Sequence, residues 1–136
     1  MLPGLTGKAE MVVQEEDLVS HIGPFQIHVL STPRLIQLME EAAIQAIEAN
    51  LPPDRISLGT QIRMRHLAPT PLGMRVVSYA LLKEIQKNRL LFQVEAYDEE
   101  EKVAEGEHER VLVSKDSFGQ KVDQKRARSP RGASTG

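Results

Sequence analysis

Ser31-Thr-Pro-Arg-Leu-Ile-Gln-Leu-Met-Glu-Glu-Ala-Ala-Ile-Gln-Ala-Ile-Glu-Ala-Asn50 is the stretch that decides the fold of this chain. Thr32 followed by Pro33 predicts an N-cap and a first helical residue. Proline has no N–H to lose at that position, and the threonine oxygen can accept a free amide of the first turn. Two prolines follow shortly after Asn50 and cannot continue a helix. The stretch therefore predicts one long helix.

One face of this helix is apolar and carries a single carboxylate. At about 100° per residue, the apolar side chains gather on one broad stripe: Leu35, Ile36, Met39, Ala42, Ala43, Ala46 and Ile47. Glu40 falls on the same face, whereas its neighbour Glu41 points to water. A lone carboxylate facing a core is costly unless it is paired, protonated or set in a polar pocket. Glu40 is thus a functional candidate, and the alternative is a carboxylate at the edge of the stripe that reaches solvent.

Five segments have the pattern of strands. Residues 8–16 precede the helix, and residues 56–68, 73–86, 89–98 and 103–114 follow it. A tight turn at Lys87-Asn88 and an acidic loop over 98–102 join three of them into an antiparallel meander, whose apolar face needs a cover. We therefore predict an α+β fold, with an antiparallel five-stranded sheet wrapped around one long central helix.

The chain is predicted to form one domain over residues 1–126, ending in a short helix over 115–126. Residues 127–136 are small, polar and basic, which predicts a disordered tail.

The composition excludes several classes of protein. A net charge of −2 argues against a dedicated nucleic-acid binder with a basic face. Without cysteine there is no disulfide, thiol nucleophile or thiolate metal site. The four histidines lack the i, i+4 spacing of a helical zinc site, so we expect no metal. No apolar run suits a signal peptide or a membrane span, and we expect a cytoplasmic protein.

His66 is a second ionisable side chain that is predicted to point inward. Alternation along its strand sends four side chains to one face: Ile62, Met64, His66 and Ala68. Because Glu40 and His66 lie inward on consecutive elements, each is expected to be the other's partner. A carboxylate that orients an imidazole near a hydroxyl, here that of Thr32, is typical of acyl transfer. The alternatives are a Thr32 that only caps the helix and a His66 satisfied within the core.

Gly59 extends this group of candidates. A glycine that opens a strand lets the backbone approach a ligand closely, so its N–H can polarise a carbonyl oxygen. The alternative interpretation is a β-bulge.

These residues resemble the fluoroacetyl-CoA thioesterase family of hot-dog-fold thioesterases. The motif is Thr32…Met39-Glu40…Ser57-Leu58-Gly59-Thr60…His66…Thr70-Pro71, followed by Gly106-Glu107-His108-Glu109-Arg110. The likeness spans roughly residues 32–125 and is ungapped from Thr32 to His66. It implies a catalytic triad of Thr32, Glu40 and His66, and a Gly59 amide that helps to hold the thioester.

The resemblance also implies the partners. We expect a homodimer with pockets at the subunit interface, with assembly beyond the dimer left open, and an acyl-CoA substrate. CoA is then part of the substrate, and no other cofactor is expected. Phe25 and Arg110 are further candidate substrate-binding residues. Phe25 is the one aromatic in the segment where the family's fluoroacetyl-selective enzyme has an aromatic lid, and Arg110 could meet a CoA phosphate. For His108 and Arg110 the alternative is an ion-paired structural strand.

The resulting hypothesis is an acyl-CoA thioesterase that hydrolyses a small acyl-CoA thioester to the free acid and CoA, with fluoroacetyl-CoA-like substrates among the candidates. Either His66, oriented by Glu40, deprotonates water for direct attack, or Thr32 or Glu40 first takes the acyl group. A non-catalytic hot-dog protein that binds acyl-CoA or another small ligand is the main alternative. An enoyl-CoA dehydratase is a second alternative, although the Asp and His pair usual for that reaction is not visible.

Overall fold

A computed structural model describes residues 1–20 and 27–131. The elements follow one another along the chain as β1 (Thr6–Val12), α1 (Thr32–Ile47), β2 (Arg55–His66), β3 (Arg75–Gln86), β4 (Arg89–Asp98), β5 (Lys102–Ser114) and α2 (Lys115–Arg128). Single turns of 3₁₀ helix lie at Glu15–Asp17 and Glu48–Asn50.

The strands form one antiparallel sheet in the order β1-β3-β4-β5-β2. The predicted meander is confirmed as β3-β4-β5, and Lys87, with a φ of 58°, lies in the two-residue turn between β3 and β4. Together with the long helix against the sheet, this confirms the predicted α+β architecture.

Several element boundaries differ from the prediction by one to four residues, including the ends of β1 and of the C-terminal helix. β1 ends at Val12 rather than at residue 16, because the chain turns into the 3₁₀ helix, where the Asp17 carboxylate accepts the Gln14 amide at 2.8 Å. The C-terminal helix is confirmed but continues through Arg128, so residues 127 and 128 of the predicted tail are helical. Residues 132–136 of that tail lie outside the described part of the chain.

The helix α1 lies toward one side of the sheet, packing chiefly against β1 and β3. Gly7 of β1 permits this approach, since a Cβ at that position would collide with the backbone of Ala42 and Ala46. Leu38 is fully buried, whereas Ile36 is only half-buried. The apolar stripe is therefore rotated away from the prediction, which leaves the Glu40 side of the helix over the β5-β2 half of the sheet.

The two edge strands of the sheet, β1 and β2, differ in what contacts their open sides. At the β1 edge, the Gln45 side chain of α1 accepts the Lys8 amide at 2.9 Å. At the other edge, the 12 residues of β2 pair only with β5 among the described strands. A long, unpaired edge without proline is a ready template for another strand.

The helices of the described residues include none that is long and apolar enough to cross a membrane.

Candidate active site

Thr32 and His66 form a hydrogen-bonded pair. Thr32 Oγ1 lies 2.7 Å from His66 Nδ1, and the Thr32 side chain is exposed. The predicted N-cap role of Thr32 is wrong, because Ser31 caps α1 by accepting the Arg34 amide at 3.3 Å, and Thr32 is the first helical residue. The Thr32 hydroxyl is thereby left for the imidazole, beside a helix N-terminus that favours negative charge.

The second ring nitrogen of His66 has no hydrogen-bond partner in the described part of the chain. His66 lies with Ile62, Met64 and Ala68 on the predicted inward face, and all four are half-buried. Its Nε2 is buried and has no hydrogen-bond partner among residues 1–20 and 27–131. Burial lowers the pKa of His66, with the nearby Ala68 backbone opposing this shift. A buried polar atom without a partner costs stability, so His66 Nε2 has a hydrogen-bonding capacity that the described residues do not use.

Glu40 does not contact His66 in this chain, contrary to the expectation that each is the other's partner. Its Oε2 lies 3.7 Å from Arg110 Nη1, and its side chain remains 39% exposed. Glu40 thus occupies the edge of the apolar stripe, which was the alternative interpretation.

Arg110 is held by several groups on the inner face of the sheet. Its Nε donates to Ser57 Oγ at 3.0 Å, and its Nη2 donates to the Ser57 carbonyl at 3.1 Å. Its Nη1 donates to His108 Nε2 at 3.2 Å. Only 5% of Arg110 is exposed, so its guanidinium is committed to a network within the chain. This favours the structural interpretation of the strand over a contact with a CoA phosphate, although the substrate-binding role of Arg110 stays a prediction.

The contacts of His108 define its tautomer. A guanidinium can only donate, so Nε2 must accept from Arg110. Nδ1 therefore carries the proton and donates to the Gln61 carbonyl at 2.8 Å. Burial lowers the pKa of His108, the Gln61 carbonyl opposes this, and the Arg110 charge adds to it. His108 is thus a neutral link between Arg110 and the backbone of β2.

Gly59 lies against the same group. A Cβ at Gly59 would stand 3.2 Å from both Glu40 Oε2 and Arg110 Nη1, and 3.3 Å from His108 Cε1. The strand begins at Arg55, so Gly59 does not open it, and a bulge follows at Thr60. The bulge interpretation is therefore supported, with Thr60 as the extra residue. The role of the Gly59 N–H toward a carbonyl oxygen stays a prediction.

The candidate residues fall into two half-sites. Thr32 and His66 form the threonine half-site, and Glu40, Gly59 and Arg110 form the glutamate half-site. Thr32 and Glu40 are separated by about 12 Å along α1, and Gly59 and His66 by about 20 Å along β2. Within one chain the two half-sites are therefore separate. Phe25 lies outside the described residues.

Ser57 and His108 were not predicted as partners of the site. Their signal lies in the strand register across β2 and β5: Ser57 faces Leu112, two residues from Arg110, and Ile62 faces His108. Without the register, the spacing of His108 and Arg110 shows only that they share a face of β5.

The lowered pKa of His108 predicts how stability depends on pH. The unfolded chain binds a proton near the ordinary value of 6.5, whereas the folded chain binds it only at lower pH. The stabilisation from neutral His108 is complete above that value and is lost as the pH falls. Replacement with asparagine keeps a donor near the Gln61 carbonyl but removes the titration. Between about pH 7.5 and about pH 5.5, the Tm advantage of the native chain over His108→Asn should shrink. An advantage that stays constant or grows would contradict the prediction.

The chain is similar to known thioesterases. A family model described as fluoroacetyl-CoA-specific thioesterase matches residues 13–116. The fluoroacetyl-CoA thioesterase of Streptantibioticus cattleyicolor is 37% identical over 97 residues, covering 71% of this chain and 70% of that protein.

Solved structures show the same likeness. A thioesterase superfamily member from Thermus thermophilus superposes with a TM-score of 0.86 at 28% identity, covering 93% of this chain and 94% of the other. A structure of the fluoroacetyl-CoA thioesterase gives 0.83 at 31% identity, covering 96% and 98%. Variants of that enzyme have been solved in complex with acetyl-CoA, and with fluoroacetate and CoA.

Proposed function

This chain belongs to the fluoroacetyl-CoA-specific thioesterase family, and on that premise we propose that it hydrolyses a small acyl-CoA thioester to the free acid and CoA. Family membership makes it a thioester hydrolase. Fluoroacetyl-CoA and acetyl-CoA are the first substrates to test, because the related enzyme is named for the former and a variant of it has been solved with the latter.

The observation that carries the chemistry is the 2.7 Å contact between Thr32 Oγ1 and His66 Nδ1. A hydroxyl group in hydrogen-bond contact with a neutral imidazole can act as a nucleophile, with the imidazole as its general base. Thr32 Oγ attacks the thioester carbonyl carbon while His66 Nδ1 takes the hydroxyl proton. The carbon–sulfur bond then breaks, the proton passes to the leaving CoA thiolate, and an acyl group remains on Thr32. Water, deprotonated by His66, releases the acid and restores the threonine.

We propose that a second copy of the chain completes this site. Among residues 1–20 and 27–131, β2 pairs with β5 alone and the buried His66 Nε2 has no hydrogen-bond partner. Both observations support a neighbouring chain at this edge. Antiparallel pairing of β2 with its own copy, about a two-fold axis midway between Gly59 and His66, brings each threonine half-site to the other chain's glutamate half-site.

In that homodimer the partner subunit's Glu40 accepts the proton of His66 Nε2 and stabilises the imidazolium that forms during reaction. The partner subunit's Gly59 then supplies an amide to the carbonyl oxygen as it gains charge. No cofactor enters this reaction, and a cytoplasmic location, which suits an acyl-CoA substrate, is part of the proposal.

Thiol release over a panel of short acyl-CoA esters tests the function. Thioester hydrolysis predicts release of CoA from at least one ester, and rapid quench should trap an acyl group on Thr32. A purely binding protein would retain the ester without releasing thiol. Hydration of enoyl-CoA esters without thiol release would instead favour a dehydratase.

The assembly is a separate prediction. Sedimentation should give a particle of twice the 15.2 kDa chain mass, or a multiple of that dimer. Turnover per chain should fall when dilution separates the subunits, because each half-site then loses its complement. Full turnover from a monomer would contradict the shared site.

A further inference from the structure

The bulge in β2 places Gly59 and His66 on the same face of the sheet. Gly59 and His66 are seven positions apart, and strict alternation would place them on opposite faces of the sheet. Gly59 nevertheless faces Glu40 and Arg110, while His66 faces Thr32 on the same side. The pairing with β5 runs from Gly59 opposite Arg110 to Gln61 opposite Glu109, which leaves Thr60 as the inserted residue. One extra residue restores the common face.

Side chains on the outer face hold this bulge. Thr60 Oγ1 donates to Glu109 Oε2 at 2.5 Å and also lies 3.3 Å from the Glu109 carbonyl. The other carboxylate oxygen of Glu109 accepts Arg89 Nε at 2.9 Å and a second bond from Nη2. The hydrogen bond from Thr60, and then that from Arg89, lower the pKa of Glu109. We call Thr60, Glu109 and Arg89 the bulge clamp.

The bulge is also fixed from the inner face. His108 Nδ1 donates to the carbonyl of Gln61, the residue after Thr60. Neighbouring residues of β5 thus hold neighbouring residues of β2 from opposite faces. By contrast, the Arg63 and Glu107 pair lies further along the same two strands, with side chains 79% and 74% exposed. That pair is a surface contact of little energetic value.

We propose that Thr60, Glu109 and Arg89 are positioning residues for the active site, because they hold the bulge that turns Gly59 and His66 to one face. The inference rests on the proposed function. None of the three touches the site itself, since Glu109 faces outward while His108 and Arg110 face inward. Their effect passes through the β2 backbone to the Gly59 amide, and a small misplacement of such a group is costly in catalysis.

The test is Thr60→Val, which keeps the side-chain shape and suits a strand but removes the hydroxyl donor. We expect kcat to fall about 10- to 100-fold with KM changed little, since the displaced amide acts mainly on the developing charge. Glu109→Gln should shift kcat in the same direction. Thr60→Ser retains the hydroxyl and should recover most of the turnover, while the matched control Glu107→Gln should equal the native enzyme.

All variants are assayed well below their Tm, so that loss of folded enzyme does not enter the rate. Native turnover in Thr60→Val, or equal losses in Thr60→Val and Thr60→Ser, would overturn the inference. The proposed function fails separately, if the native protein releases no thiol from any ester of the panel.

Discussion

Replacing His66 with alanine is expected to lower kcat by about 10²- to 10⁴-fold, the usual contribution of a general base. The imidazole is the group 2.7 Å from the Thr32 hydroxyl, so the variant leaves the proposed nucleophile with its proton. Steady-state thiol release, with circular dichroism and sedimentation to confirm a folded dimer, measures the effect.

Arg65→Ala is the matched control for His66→Ala. Arg65 is the preceding residue of β2 and is exposed on the opposite face. Its replacement should leave kcat unchanged. Turnover by His66→Ala close to the native value on every ester tested would remove His66 from the mechanism.

Replacing Glu40 with glutamine is expected to lower kcat by a similar factor, about 10²- to 10⁴-fold. Glutamine keeps the length of the side chain and an oxygen that can still accept from Arg110. It has no charge to stabilise the imidazolium of His66, and it cannot take an acyl group. The variant should therefore fold and dimerise while turnover fails.

Glu41→Gln is the control for Glu40→Gln on the same helix. Glu41 is the next residue, 43% exposed, with Arg34 3.8 Å away. Equal turnover by the two glutamine variants would contradict a special role for Glu40, whatever the value of that turnover.

The helix and most of the sheet were predictable because their signals are local. Apolar residues three and four positions apart predicted α1. Alternating apolar and polar residues, joined by a two-residue turn, predicted β3 and β4. The cap was predicted one residue late, because Ser31 and Thr32 are both competent caps and only the contact to His66 distinguishes them. The end of β1 depended on a hydrogen bond from the Gln14 amide to the Asp17 carboxylate, which strand patterning does not encode.

The candidate residues were chosen from the sequence, but their contacts with one another were not predicted. Spacing alone placed Glu40 on the apolar face, yet the packing of α1 against β1 through Gly7 rotates that face and leaves Glu40 beside Arg110. The bulge at Thr60 changes which of the preceding β2 residues lie on the same face as His66. A period-two pattern extended from one end of the strand does not predict this change. The orientation of Glu40 and the face of these β2 residues both depend on long-range packing and register rather than on composition.

In the homodimer that we propose, each active site takes Thr32 and His66 from one chain and Glu40 from the other. The direct test mixes His66→Ala with Glu40→Gln, each inactive alone, and lets the subunits exchange. In a mixed dimer one site then carries both substitutions and the other carries neither. With half of the dimers mixed and one of two sites intact in each, about one quarter of native activity should return. If each site came from a single chain, every site would carry one substitution. The mixture would then be no more active than the separate variants, and that result would contradict a site shared between chains.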